Sequence, residues 1–142
     1  MRRGEQRSDR SPEADQWQPT VIVAEDDNVT ALLTTEVLRR AGFEVVRACD
    51  GEAALEEVER HQPAVMVLDI NMPRRDGLEV LRTVRRNLES ARLRILVLSS
   101  HAQADVAERA RQDGADDYLV KPYVPTELVD RVRRLSRADG DR

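Results

Sequence analysis

Lysine is almost missing from this chain: of its 23 basic residues only Lys121 is a lysine, and the rest are arginine. A chain that otherwise takes its positive charge from arginine singles out that position as one suited to a compact ammonium rather than a planar fork. Cysteine is equally scarce. Cys49 stands alone, with no partner for an internal disulfide and no redox partner, which fits a reducing cytoplasm. Aromatic residues make up only 3%, so any core must be mostly aliphatic. Long apolar runs are absent too: the longest are short, such as Ala64 to Leu68, far below the roughly 20 residues that cross a bilayer. Membrane insertion is not expected. The opening Met1-Arg2-Arg3-Gly4-Glu5 leads into no apolar stretch, so no secretory signal is expected either. Finally, 27 acidic residues outnumber the bases, for a net charge of -4, and no basic stripe runs along the chain. Direct nucleic-acid binding is therefore not expected.

What is present is a regular alternation. The 142 residues suffice for one domain. Residues 1–18 are polar, carry both signs of charge and read as a flexible N-terminal tail, with Trp17 the one large apolar group after Met1. From residue 19 to 136, short β-rich runs alternate five times with segments of helical period, and residues 137–142 form a polar C-terminal tail. This alternation predicts an α/β fold with a parallel sheet. Val21 to Ala24, Ala64 to Leu68 and Ile95 to Leu98 are continuously apolar, as strands covered on both faces should be. Phe43 to Ala48, with two charges, and the short Tyr118-Leu119-Val120 read as edge strands. Helical faces are predicted from Val29, Leu32, Leu33 and Val37; from Ala54, Leu55 and Val58; from Leu78, Leu81 and Val84; from Val106, Ala107 and Ala110; and from Leu128, Val132 and Leu135. Right-handed crossovers then give a doubly wound five-stranded parallel sheet of order 2-1-3-4-5, whose ligands bind beyond the carboxyl ends of the strands.

Polar residues collect at that end. Glu25-Asp26-Asp27 follow the first strand, Asp69 the third, Ser99-Ser100 the fourth and Lys121-Pro122 the fifth. Each alone has an ordinary structural reading as a helix cap, a strand end or a solvated charge. Together they bring several carboxylates close, where repulsion either raises pKa values or demands a cation. A hard divalent ion such as Mg²⁺, with Mn²⁺ as the alternative, meets that demand and leaves room for a phosphoryl oxygen. Phosphoryl transfer asks the protein mainly to position and to neutralise. Asp69 suits the nucleophile, Lys121 the neutralising cation and Ser99 the hydroxyl donor.

Four separated blocks carry a resemblance: Val23-Ala24-Glu25-Asp26-Asp27; Val67 to Pro73 with Asp76-Gly77; Leu98-Ser99-Ser100; and Asp117 to Tyr123. They resemble, in order and at family spacing over roughly residues 19–136, the receiver domains of two-component response regulators, of the chemotaxis-protein type. The resemblance implies a flavodoxin-like (βα)5 fold and phosphorylation of Asp69 by a sensor histidine kinase or a histidine phosphotransfer protein. It implies Mg²⁺ held by Glu25, Asp26, Asp69 and the main-chain carbonyl of Asn71. Ser99 would be the switch hydroxyl, Tyr118 the switch aromatic, and Lys121 the phosphate-contacting lysine in a cis Lys-Pro linkage. Asn71 and His101 would flank the path of the hydrolytic water and tune the lifetime of the acyl phosphate. Glu25 stands where aspartate is commoner, Ser99 where threonine is, and Val124 where a polar cap is. None of these removes an essential group.

Other readings are weaker. An aspartyl phosphatase would want a general acid where Asn71 stands and a segment to cap its substrate. A flavin or nucleotide module would want a phosphate-cradling loop, and Glu25-Asp26-Asp27 would repel one. An unphosphorylated docking module would have no use for the retained acids, hydroxyl and lysine. The Asn28-Val29-Thr30 sequon reads as a helix start, His61 as surface and Asp76-Gly77 as a turn without chemistry. The expected output is an effector protein contacted through the fourth helix, fifth strand and fifth helix, with the chain a monomer or a phosphorylation-dependent dimer. No effector sequence follows Ser136, which suggests a single-domain relay or the receiver fragment of a larger DNA-binding or enzymatic regulator.

Overall fold

The computed structural model describes residues 18–72, 77–100 and 104–138. Strands β1 (Thr20–Ala24), β2 (Glu44–Ala48), β3 (Val65–Asp69), β4 (Arg94–Ser99) and β5 (Asp117–Val120) alternate with helices α1 (Asn28–Arg40), α2 (Gly51–His61), α3 (Gly77–Arg86), α4 (Ala104–Gln112) and α5 (Pro125–Ala138). All pairings are parallel, in the order β2-β1-β3-β4-β5. The expected sheet is therefore the observed one, with the two charged or short strands at its edges. The last helix runs to Ala138, two residues past the boundary expected at 136.

Two cores lie on opposite faces of the sheet, because successive strand residues point to opposite sides. Ile22, Met66, Leu68, Ile95 and Val97 pack with α2, α3 and α4 residues such as Val58, Leu81, Val84 and Ala110. Val21, Val23, Val65, Val67, Leu96 and Leu98 pack with Leu38 of α1 and Leu128 and Val132 of α5. Local chemistry sets the ends of the helices. Asp27 accepts from the Thr30 amide at 2.8 Å to start α1, and Asp50 accepts from the Ala53 amide at 2.8 Å to start α2. Gly42, at φ 103°, turns the chain out of α1 into β2.

One expectation about packing is overturned. The face predicted to bury α1 points outward: Val29, Leu32 and Leu33 are 67%, 65% and 62% exposed. The buried face is Ala31, Thr34, Thr35 and Leu38, and of the predicted set only Val37 packs against the core. Both sets satisfy helical spacing, so periodicity alone cannot choose between them. Small and hydroxylated side chains let α1 lie close to the sheet, and the Thr34 hydroxyl is satisfied by Tyr123 Oη at 2.7 Å.

Candidate functional site

The register of the sheet assembles the site. Ala24 pairs with Leu68, and Asp69 pairs with Leu98, so Glu25, Asp69 and Ser99 end adjacent strands at one edge of the core. Ligand oxygens of Glu25, Asp26 and Asp69 lie within 4.8 Å of one another. Glu25 and Asp69 are each 3% exposed, whereas Asp26 is exposed. Lys121 reaches in from β5, its Nζ 3.3 Å from Glu25 Oε1 and 3.3 Å from Asp69 Oδ2. The Lys121-Pro122 peptide bond is cis. Asp69 Oδ1 accepts from the Asn71 amide at 3.0 Å.

One ammonium among three carboxylates leaves the pocket short of positive charge. Burial, followed by the hydrogen bond and charge of Asp69, pushes the Glu25 carboxyl up to about 7, with Lys121 offsetting only part of the effect. Burial works against the charge on Lys121, but Asp69 and Glu25 outweigh it and its pKa sits above the ordinary lysine value. Oxygen donors alone, two of them buried and under-compensated, are the set that a hard divalent cation prefers.

Two supports were not legible as functional in the sequence. Arg47, on the edge strand β2, donates to the Glu25 carbonyl at 3.1 and 2.8 Å, to the Asp26 carbonyl at 3.1 Å and to Asn28 Oδ1 at 2.8 Å. It pins the β1–α1 loop that carries two of the acids. In the sequence it is merely a charge within a strand. Gly77 begins α3 hard against the chain leaving β3: a Cβ there would lie 2.3 Å from Ile70 Cα and 3.0 Å from the Asp69 carbonyl oxygen. The Asp-Gly dipeptide was a signal, but a turn was all it indicated.

Ser99 is fully buried at the end of β4, and its carbonyl accepts from the Lys121 amide at 2.8 Å. Tyr118 lies beside Val97 on β5, half-buried against the α2–α4 core. Asn71 is exposed just beyond Asp69. His101 lies outside the described residues, as do Pro73 and Asp76 of the β3–α3 motif. Ser99, Asp69, Glu25 and Lys121 are thus brought to one end of the sheet, whereas Tyr118 lies two residues short of it, level with Val97.

The sequence model of the response regulator receiver domain matches residues 21–133. The chain belongs to that family. This receiver is 42% identical over 122 residues to the transcriptional regulatory protein PrrA of Mycobacterium tuberculosis, across 86% of this chain and 52% of that protein. It is 33% identical over 117 residues to the alkaline phosphatase synthesis transcriptional regulatory protein PhoP of Bacillus subtilis, across 82% of this chain and 48% of that one. The chain spans about half the length of these curated relatives. Among solved structures, the receiver superposes on the chemotaxis protein CheY4 of Vibrio cholerae with a TM-score of 0.80 at 28% identity, covering 84% of this chain and 99% of that one. It also superposes on the receiver domain of sensor histidine kinase PA1611 from Pseudomonas aeruginosa with a TM-score of 0.78 at 28% identity, covering 84% of this chain and 98% of that one. The latter was solved with a magnesium ion coordinated in its active-site cleft. As a receiver, the chain is a signalling protein of two-component systems. Among the described residues, no helix is long and apolar enough to cross a membrane.

Proposed function

We propose that residues 19–136 act in the cytoplasm as a phosphoryl-accepting receiver, with Asp69 the acceptor. The observation that carries this reading is the buried Asp69 carboxylate held between Lys121 Nζ, 3.3 Å away, and the acid pair Glu25 and Asp26. An oxygen of Asp69 attacks the phosphorus of a donor phosphohistidine. The O–P bond forms, the N–P bond breaks, and the electron pair leaves with the imidazole, which takes up a proton. Lys121 offsets charge on the transferred group, and Ser99 donates its hydroxyl to an equatorial oxygen. Glu25, Asp26, Asp69 and the Asn71 carbonyl are the residues that would hold Mg²⁺ or Mn²⁺, which would neutralise phosphoryl charge there. Water returns the acyl phosphate slowly to carboxylate and phosphate, with Asn71 and His101 bordering its approach.

The exposed Val29, Leu32 and Leu33 support a place for the donor. They stand on the helix that follows the acid pair, and Val124, also exposed, follows Lys121-Pro122. An apolar patch beside the acceptor suits a kinase or phosphotransfer helix that presents its histidine there. For output, inward movement of the Ser99 hydroxyl and Tyr118 ring repacks the α4–β5–α5 surface for an effector. A cavity of about 200 Å³ bordered by Ala107, Arg111 and Tyr118 supports this by leaving space beside the ring.

Incubation with acetyl phosphate, with and without Mg²⁺, followed by intact mass, tests the chemistry. Metal-dependent gain of one phosphoryl group that Asp69→Asn abolishes is expected, and an equal gain in the mutant refutes Asp69. Amide spectra with a phosphoryl mimic test the switch: no perturbation around residues 99–123 refutes it.

A further inference from the structure

At the end of the sheet opposite Asp69, where Pro63 leads toward β3 and Leu93 toward β4, a cleft of about 480 Å³ opens between α2 and α3. Its floor is apolar, built from Leu55, Val58, Pro63, Val84 and Leu93. In the turn between α3 and β4, Leu88 is 89% exposed, the most exposed large apolar side chain among the described residues. Its neighbours Asn87 and Glu89 line the cleft and Leu88 does not, so an apolar knob and an apolar hole stand side by side on one face. A two-fold axis standing on the surface between them sets the knob of each copy over the hole of the other.

The charges on the rim have the same self-complementary character. Glu89 and Arg92 both line the cleft and both are exposed. They belong to one turn, yet neither has an ion-pair partner among the described residues. In a two-fold contact, residue i of one copy meets residue j of the other and the reverse, so one unpaired acid and one unpaired base on the patch make two ion pairs. Gln62 adds an independent sign that the cleft wall is used. It ends α2 at φ 48°, a left-handed position that glycine fills with less strain, and so keeps a side chain at the wall. Among the described residues that carboxamide makes no hydrogen bond.

We propose that this face is a contact between two copies of the chain, each inserting Leu88 into the α2–α3 cleft of the other, with Glu89 of one copy paired to Arg92 of its partner. The contact forms without phosphorylation, because it takes nothing from the Asp69 end of the sheet and no residue of α1, α4 or α5 lines the cleft. Both acceptor pockets therefore stay open in the pair. One knob in one cleft, made twice, belongs with the interfaces below roughly 1,200 Å². The dimer is accordingly weak, forming between micromolar and millimolar concentration.

Sedimentation equilibrium of the intact chain, from micromolar to millimolar concentration and without a phosphoryl donor, is expected to show monomer passing into dimer. Leu88→Ser, at a solvent-facing turn position, is expected to keep native far-UV dichroism and to weaken association about tenfold or more. Glu89→Arg and Arg92→Glu are each expected to weaken it, and the double exchange to restore it, since the charges across the axis are again opposite. Gln62→Gly is expected to raise the urea midpoint of the monomer and yet loosen the dimer. A dimer that Leu88→Ser leaves intact, or a double exchange no tighter than either single one, overturns the proposal. So does a chain that stays monomeric at millimolar concentration, and if its Leu55 and Val84 amides then shift on addition of anilinonaphthalene sulfonate, the cleft belongs to another occupant.

Discussion

Gly77 offers the sharpest test of how the acceptor is held. It begins α3 where the helix presses on the chain leaving β3, and alanine there would put its methyl carbon 2.3 Å from Ile70 Cα and 3.0 Å from Ile70 Cβ. Ordinary contact begins near 3.4 Å, so helix and strand must part by about 1 Å. The obstacle is main chain, which cannot rotate away as a flexible side chain would. Overpacking of this kind costs about 1–3 kcal/mol, and the small gain in helix propensity at a first helical residue does not cancel it. The displaced atoms include the Asp69 carbonyl and Ile70, one residue from the acceptor. A misplacement of about 1 Å at a reacting group slows reaction on the order of 100-fold. Gly77→Ala is therefore expected to lower the urea midpoint and to slow phosphorylation by acetyl phosphate far more than its stability loss explains. A folded mutant with wild-type stability and wild-type rate would refute the reasoning. Gly114 is the contrast: a Cβ there meets Arg85 Cγ at 2.6 Å, part of a long side chain that can adjust, although its φ of 114° still favours glycine.

Arg85 ties α3 to the segments that lead into β4 and β5, donating to the carbonyls of Gly114, Ala91 and Leu93 and to Asp116 Oδ2. Burial lowers its pKa even with Asp116 beside it, so Arg85→Ala should cost about 2–3 kcal/mol in urea unfolding, and a loss under about 0.5 kcal/mol would show those bonds to be idle. Mg²⁺ should raise the melting temperature of the wild type, and Asp26→Asn should blunt that rise; an unchanged response in the mutant removes Asp26 from the metal site. Leu32→Ser, on the exposed face of α1, should leave stability within about 0.5 kcal/mol and phosphorylation by acetyl phosphate intact, while slowing transfer from a phosphohistidine protein. Equal transfer rates would place the donor elsewhere.

The sheet order, the strand ends and the polar residues gathered there were legible in the linear chain. Short continuous apolar runs such as Val65 to Leu68, alternating with longer segments of helical period, read as strands buried on both faces, and the residue after such a run emerges at the carboxyl end. Glu25, Asp69, Ser99 and Lys121 could therefore be placed together before any coordinates. The orientation of α1 could not. Ala31, Thr34, Thr35 and Leu38 repeat with the same helical spacing as Val29, Leu32 and Leu33, and only the depth of the gap above the sheet, together with Tyr123 arriving from a segment 89 residues away, favours the smaller set. Arg47 and Gly77 were hidden for a related reason. One acts through carbonyls of a loop 21 and 22 residues earlier, the other through the absence of a side chain beside Ile70. Periodicity reports which residues avoid water, a local property of the chain. Which neighbour each one meets depends on how distant segments fill one volume, and that is decided only when the sheet and helices close on each other.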